Sequence, residues 1–146
     1  MEKTGALVIR DARMADAAAL ADLSGELGYP ASTVEIKGRL ETLFSSPNHK
    51  ILVGEIDKVV GWVHIAMISS LESDPFAEMK GLVVTSPARG TGVGTQLVTE
   101  AERWAKQKGC RRMRVRMNVV RTETHDFYKK TGYTLTKRQE VFDKEI

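Results

Sequence analysis

A glycine-rich corner between an apolar strand and an amphipathic helix constrains this chain more than any other stretch. Residues 81–95 read Gly-Leu-Val-Val-Thr-Ser-Pro-Ala-Arg-Gly-Thr-Gly-Val-Gly-Thr, which predicts a short strand, a turn at Pro87 and a helix start. The glycines leave the backbone N–H groups of that helix start uncovered. Unpaired N–H donors and the positive end of the helix dipole favour bound phosphate. With the adjacent cation of Arg89, the corner predicts a diphosphate site.

Length and composition are those of an ordinary globular protein. The 146 residues favour one domain, residues 1–146, with a single core. No apolar run approaches the roughly 20 residues that span a bilayer. Cys110 is alone, which argues against a disulfide framework and a cysteine-based metal site. We therefore expect a cytoplasmic protein without a membrane partner, in which Cys110 is a small buried residue.

The two halves of the chain differ in charge. Residues 1–78 hold 7 Lys/Arg against 12 Asp/Glu, and residues 79–146 hold 15 against 7, so the halves carry −5 and +8. A basic half suits a polyanion, a small phosphorylated ligand or solvent alone. The run with Arg111, Arg112, Arg114 and Arg116 leaves nucleic-acid binding as an alternative, but no aromatic residues interleave with it, as RNA-binding sheets require. We expect no nucleic-acid partner.

The pattern of apolar residues predicts a mixed α/β (α+β) fold. The order of elements is β-α-α-β-β-β-α-β-α-β-β, with strands and helices alternating only in the second half. This order favours a mixed, mostly antiparallel sheet of about seven strands with four helices on both faces. The predicted strands are 6–10, 50–56, 59–68, 78–84, 112–117, 133–137 and 140–144.

The glycine-rich corner matches neither of two common nucleotide-binding motifs. A dinucleotide fingerprint requires G-x-G-x-x-G with an acidic residue about 20 positions later. Here Thr95 stands at the third glycine and Arg112 at the acidic position. A P-loop requires a lysine after the last glycine, and Thr95 follows Gly94 instead. What remains is Arg89-x-x-Gly92-x-Gly94 behind an apolar strand.

This remaining pattern resembles the acyl-CoA motif of the GNAT superfamily of acyl-CoA-dependent N-acetyltransferases. The segment 127–133, Phe-Tyr-Lys-Lys-Thr-Gly-Tyr, is similar to the family's Phe-Tyr-x-x-x-Gly-Phe/Tyr segment. The two strands predicted after it also match the family. The resemblance covers essentially the whole chain. It implies a GNAT-like domain, similar to small bacterial members, that uses acetyl-CoA as co-substrate and no metal.

The resemblance also implies which residues bind acetyl-CoA. The diphosphate is expected on the corner. The pantetheine arm is expected on the backbone of the preceding strand, where the strand at 80–84 and the strand at 113–117 splay apart. Asn118, at the end of the second strand, is expected to bond the arm. The expected acetyl-CoA ligands are Leu82, Val83, Val84, Arg89, Gly90, Thr91, Gly92, Val93, Gly94, Thr95, Asn118, Phe127 and Tyr128.

Acyl transfer to an amine needs a base and an acid. The amine attacks only when neutral, and a lysine-type amine has a pKa of about 10.4. The resemblance implies that Tyr128 protonates the departing thiolate, and that Glu78 or a water relay takes the proton of the amine. A backbone N–H near Val83 or Val84 is expected to hold the oxyanion. His64 is expected to be a hydrogen-bonded histidine of the sheet rather than a catalytic group.

Acidic residues indicate the acceptor. A small cationic amine such as an aminosugar or a polyamine is favoured by Glu72, Asp74 and Glu78, together with Asp22, Glu26, Glu35 and Glu41 of the first two predicted helices. A peptide N-terminus or a lysine side chain is the alternative acceptor. A non-catalytic acyl-CoA-binding module is the alternative class of function. The oligomeric state is left open between a monomer and a homodimer.

Overall fold

A computed structural model describes residues 5–117 and 122–146 of the chain. The chain falls into two compact units, Met1–Arg116 and Met117–Ile146. Within the described ranges, none of the helices combines the length and the apolar character that crossing a membrane requires.

The first unit contains one sheet and three α-helices. Their order matches the sequence-based prediction from the first strand to the fifth. The strands are β1 (Val8–Asp11), β2 (His49–Ile56), β3 (Lys58–Ile68), β4 (Phe76–Val84) and β5 (Met113–Val115); the helices are α1 (Ala17–Leu27), α2 (Thr33–Phe44) and α3 (Val93–Gln107). Short 3-10 turns lie at Met14–Asp16 and Ser86–Ala88.

The boundaries of α1 and α2 follow from local chemistry. Gly28, with a φ of 101°, ends α1, since a left-handed conformation suits glycine. Ser32 begins α2 through a capping box: its hydroxyl accepts from the Glu35 backbone N–H, and the Glu35 carboxylate accepts from the Ser32 N–H. The α1–α2 connection is therefore fixed at both ends.

The sheet is mixed and mostly antiparallel, as predicted. Its strands lie in the order β1-β2-β3-β4-β5, and the first four pair antiparallel. Strand β5 pairs parallel to β4, but only over Ala77–Met79 of β4. The rest of β4 therefore continues beyond the end of this pairing.

Helices cover both faces of the sheet in the first unit. Leu20 of α1 and Leu40 of α2 pack in one buried cluster with Val53 of β2. The next residue of β2, Gly54, points to the other face, where Val93 Cγ1 of α3 lies within 3.2 Å of an ideal Cβ position. Because successive residues of a strand face opposite sides, α1 and α2 cover one face and α3 the other.

The second unit contains α4 (Thr122–Lys130) and an extended segment after it. The expected strands at 133–137 and 140–144 are wrong, because the described residues there form no strand, and the sheet has five strands instead of seven. A short apolar stretch forms a strand only where a neighbouring edge pairs with it and buries one face. Here Leu135, Val141 and Phe142 remain 58%, 82% and 88% exposed.

Candidate active site

A bulge at Lys80 marks the point where β4 leaves β5. Met79 lies opposite Ile65 of β3, whereas Gly81 lies opposite the preceding residue His64, so Lys80 is an extra residue in β4. A bulge bends its strand and raises the local twist. The pairing between β4 and β5 ends at Met79, directly before the bulge. The pairing therefore ends where the two strands are predicted to splay apart.

Beyond the bulge, every second residue of β4 directs its backbone N–H and C=O groups away from β3. The Thr85 N–H donates to the Val60 carbonyl at 2.8 Å, and the same alternation directs Val83 toward β3. The backbone groups of Leu82 and Val84 therefore point to the side from which β5 has departed. Of the three strand residues expected to bind pantetheine, these two have the required direction.

Close packing explains the glycine at the start of this open edge. An ideal Cβ on Gly81 would lie 2.8 Å from Cη2 of Trp62, so no larger residue fits without movement of the indole ring. Trp62 packs in turn against the cluster of α1 and α2. The edge of β4 is thus held against the core on one face.

The corner after β4 presents the start of α3 without a cap. Gly90 and Gly92 have φ values of 79° and 91°, in the region that favours glycine. No side chain caps α3, and its first turn holds no acidic residue. The first hydrogen bond of the helix runs from the Gln96 N–H to the Gly92 carbonyl. The N–H groups of residues 93–95 come before it and have no acceptor within the helix. This geometry suits an anion, as the sequence predicted.

Arg89 lies beside that helix start, with its side chain turned back toward β4. Its Nε donates to the Val84 carbonyl at 3.0 Å, and its Nη2 lies 3.9 Å from Glu26 Oε1. The side chain is 57% exposed, so its charge also faces solvent at the corner. Thr91 donates through its hydroxyl to the Ala88 carbonyl, which closes the turn before Gly92.

Glu26 holds the corner from the last turn of α1. Its Oε2 accepts from the Thr85 hydroxyl at 2.9 Å, and its Oε1 accepts from the Ser86 backbone N–H at 3.1 Å. Sequence reasoning placed Glu26 among acidic residues near the acceptor and missed this role. No local pattern reveals a contact between residues about 60 positions apart in the chain.

Glu78 is a buried carboxylate with two cationic partners. Lys80 Nζ donates to its Oε2 at 2.9 Å, and Arg116 Nε donates to its Oε1 at 3.0 Å. Burial raises the pKa of Glu78, but the hydrogen bonds and charges of Lys80 and Arg116 outweigh it and lower the pKa below 4.5. At 6% exposure, Glu78 does not belong to an exposed acidic rim. The two ion pairs make it a weak direct base.

His64 is hydrogen-bonded within the sheet, as predicted. Its Nε2 lies 2.9 Å from Nδ1 of His49. Burial, together with the neighbouring His49 and Lys80, lowers the pKa of His64 to about 4. The ring is therefore neutral at pH 7. Cys110 is buried, also as predicted.

The second unit holds the aromatic residues of the predicted site. Tyr128 is buried, and its ring makes edge-to-face contacts with Phe127 at 5.1 Å and with Tyr133 at 5.5 Å between ring centroids. Burial raises the pKa of Tyr128 to about 12, so the phenol keeps its proton at neutral pH. The predicted ligand Asn118 lies outside the described residues.

Comparisons with known proteins agree with this geometry. The model of the acetyltransferase (GNAT) family matches residues 17–133. An aminoalkylphosphonate N-acetyltransferase of Salmonella typhimurium is 32% identical over 112 residues, which cover 76% of this chain and 71% of that protein. An aminoglycoside N(6')-acetyltransferase type 1 of Stenotrophomonas maltophilia is 27% identical over 139 residues, 92% of this chain and 90% of that protein.

Solved structures share the fold. The aminoglycoside N-acetyltransferase AAC(6')-Iy in complex with CoA superposes with a TM-score of 0.87 at 19% identity, covering 99% of this chain and 98% of that one. The same enzyme with a bisubstrate analogue has a TM-score of 0.85 and covers 97% and 100% of the two chains. At this identity the likeness concerns the fold, whereas the family model matches most of the sequence. The chain belongs to the GNAT family of acetyltransferases.

Proposed function

We propose that the chain, as one domain over residues 1–146, transfers an acetyl group from acetyl-CoA to the primary amine of a small molecule by direct attack in a ternary complex. The observation that carries this proposal is the junction of an open strand edge with an uncapped helix start. Leu82 and the N–H of Val84 offer backbone groups along β4, since the Val84 carbonyl already accepts from Arg89, and residues 93–95 offer N–H donors directly after the strand. Acetyl-CoA matches this arrangement, because its amide-bearing pantetheine arm is joined directly to its diphosphate.

The cofactor-binding residues then have separate tasks. The N–H groups of Val93, Gly94 and Thr95 bind the diphosphate, and the positive helix end favours its charge. Arg89 adds a cation, and Gly90, Thr91 and Gly92 shape the turn. The edge of β4 binds the amides of pantetheine, to which Asn118 and Phe127 contribute by family resemblance. Acetyl-CoA supplies the activated thioester carbonyl.

The chain's own groups complete the chemistry. A backbone N–H on the open edge of β4, in the Leu82–Val84 stretch, stabilises the oxyanion of the tetrahedral intermediate. Tyr128, which keeps its proton at neutral pH, protonates the thiolate of CoA. The ion pairs of Glu78 favour a water relay for the proton of the amine, with the carboxylate orienting the water rather than accepting the proton itself.

The acceptor is a small amine. The named relatives acetylate an aminoglycoside in one case and an aminoalkylphosphonate in the other. The sequence favoured a cationic acceptor such as an aminosugar or polyamine, attracted by Glu72 and Asp74, both of which are exposed. A peptide or protein amine is the alternative acceptor. A non-catalytic acyl-CoA-binding module is the alternative class.

A binding and turnover experiment tests the proposal. We expect acetyl-CoA to raise the melting temperature, and a small primary amine to release free CoA thiol in its presence. Gly92→Asp places a negative side chain at the helix start and should weaken the acetyl-CoA effect strongly, whereas Gly25→Asp, in the open at α1, should not. No shift at about 1 mM acetyl-CoA, a concentration well above a micromolar Kd, would refute acetyl-CoA binding. Binding without thiol release from any amine would favour the non-catalytic module.

A further inference from the structure

A cluster of cations surrounds the point where β4 and β5 diverge. Arg114 lies in β5, and Arg112 and Arg116 lie directly before and after it. Their contacts put the three on one face of the sheet, because Arg112 and Arg114 stack on Phe76 and Arg116 donates to Glu78. That face is the one of Phe76 and Glu78, since Glu78 lies in register with Arg114. The bulge adds Lys80 to the same face. We call this set the basic cluster; it consists of Lys80, Arg112, Arg114 and Arg116.

The basic cluster has an excess of positive charge. Glu78 is its single buried carboxylate, and it pairs with Lys80 and Arg116. The guanidinium groups of Arg112 and Arg114 lie 4.7 and 4.5 Å from the centroid of the Phe76 ring and form no ion pair with a carboxylate among the described residues. Four cations thus face one buried anion, with exposed Asp74 near Arg112 in the adjoining groove.

The basic cluster lies at the acceptor end of the proposed acetyl-CoA site. The diphosphate site follows Val84 in the chain, so the arm of CoA runs back along β4 toward Gly81 and Lys80. The thioester is at the far end of that arm. An amine that attacks it must approach next to Lys80 and Arg116, whose side chains are 39% and 53% exposed.

We propose that the acceptor is a short alkyl amine that also carries an oxyanion, and that Lys80 and Arg116 of the basic cluster bind this oxyanion. This inference rests on the proposed acetyl transfer. Arginine binds phosphonate, phosphate and carboxylate through paired N–H groups, and lysine adds a point charge. A polycationic amine meets repulsion at the same place. The shared chemistry is an oxyanion group whose phosphorus or carboxyl carbon lies three bonds from the amine nitrogen; whether it is a phosphonate or a carboxylate is a result of the test.

A matched amine series provides the test. The substrates are 2-aminoethylphosphonate, 3-aminopropanoate, the neutral 3-aminopropan-1-ol, spermidine and kanamycin, each at saturating acetyl-CoA. We expect kcat/KM for an oxyanion-bearing amine to exceed that for the neutral amine by at least about tenfold, the factor for a hydrogen bond to a charged group. The larger value among the first two substrates identifies the oxyanion. Equal values for charged and neutral amines, a preference for the polycations, or no turnover of either oxyanion-bearing amine overturns the inference.

Variants separate binding from structural effects. Lys80→Gln should raise KM for the preferred oxyanion-bearing amine about tenfold and leave KM for 3-aminopropan-1-ol and acetyl-CoA within twofold. Lys80→Arg should restore most of the affinity. Lys106→Gln, an exposed lysine in the last turn of α3, is the matched control and should change none of these values. An equal rise of KM for charged and neutral amines in Lys80→Gln contradicts the inference.

Different outcomes overturn the proposed acetyl transfer and the oxyanion-binding role of Lys80 and Arg116. If acetyl-CoA raises the melting temperature and the enzyme acetylates only neutral or polycationic amines, the acetyl transfer stands and the oxyanion inference falls. If acetyl-CoA does not bind, both fall.

Discussion

Removing the Glu26 carboxylate should weaken acetyl-CoA binding from a position that does not touch the expected ligand. Glu26 holds the entry to the glycine-rich corner by two hydrogen bonds, one from the Thr85 hydroxyl and one from the Ser86 N–H. A hydrogen bond to an ionised group contributes about 1.5–3 kcal/mol in a buried setting, and an exposed ion pair about 0–1 kcal/mol. Glu26 is 36% exposed, between these settings. We therefore expect Glu26→Ala to make the ordered conformation of the corner less stable by about 1–2 kcal/mol.

This loss of stability should appear as a higher KM for acetyl-CoA. If the ligand must order a corner that is no longer held, KM for acetyl-CoA rises about 5- to 30-fold, because 1.4 kcal/mol is a factor of ten. The assay is thiol release with acetyl-CoA varied and the amine saturating. Asp22→Ala is the control, since it removes the same charge one turn earlier on α1, where the residue is exposed.

A double-mutant cycle decides whether the contact itself is responsible. Thr85→Val removes the hydroxyl donor, and the effects of Glu26→Ala and Thr85→Val should be less than additive, since both remove the same hydrogen bond. A KM for Glu26→Ala within twofold of that for Asp22→Ala would refute the argument. Fully additive effects would show that Glu26 acts elsewhere.

Three further perturbations have outcomes fixed by the structure. Gly92→Ala forces a side chain into a left-handed conformation at a φ of 91°, which costs about 1–2 kcal/mol and should lower the melting temperature and raise KM for acetyl-CoA, whereas Gly25→Ala should do neither. Tyr128→Phe should lower kcat about 100-fold with KM for acetyl-CoA unchanged, because only the proton donor is lost; an unchanged kcat rejects the acid role. His64 has a pKa of about 4 against an ordinary 6.5, so its contribution to stability is present above pH 6.5 and lost as the pH falls toward 4. It amounts to at most about 3 kcal/mol. The melting temperature from pH 7 to 5 should fall less in His64→Gln than in the parent protein, and parallel curves would contradict the assignment.

The sequence predicted most of the first unit because its signals are local. Apolar periodicity marks α3, the capping box at Ser32 marks α2, and the glycine spacing at 90 and 92 marks the corner. Each depends on neighbours within about one or two helical turns, so composition and spacing contain the information. The family resemblance then added the expected open strand edge, and the pairing of β4 with β5 ends at Met79, directly before it.

What the sequence did not predict depends on distant partners. The Glu26 carboxylate contacts residues about 60 positions away, and Glu78 pairs with Arg116, 38 positions away. Such pairs leave no periodic trace in the chain. The segment after Gly132 shows the opposite error: its short apolar stretches and the family resemblance suggested strands, but neither reveals whether an edge exists to pair with them.

The bulge at Lys80 gives β4 one more side chain on the face of the basic cluster than regular pairing with β3 would give. Glu78, Lys80 and Gly81 all lie toward that face, although a regular strand would place Lys80 and Gly81 on opposite sides. Removing residue 80 altogether would let Met79 and the following residues keep their partners on β3, while the extra cation and the kink would both disappear. The one extra residue in β4 therefore determines both the charge and the direction of the strand edge. Gaining or losing a single residue here would change both, with the pairing of β3 and β4 intact on either side.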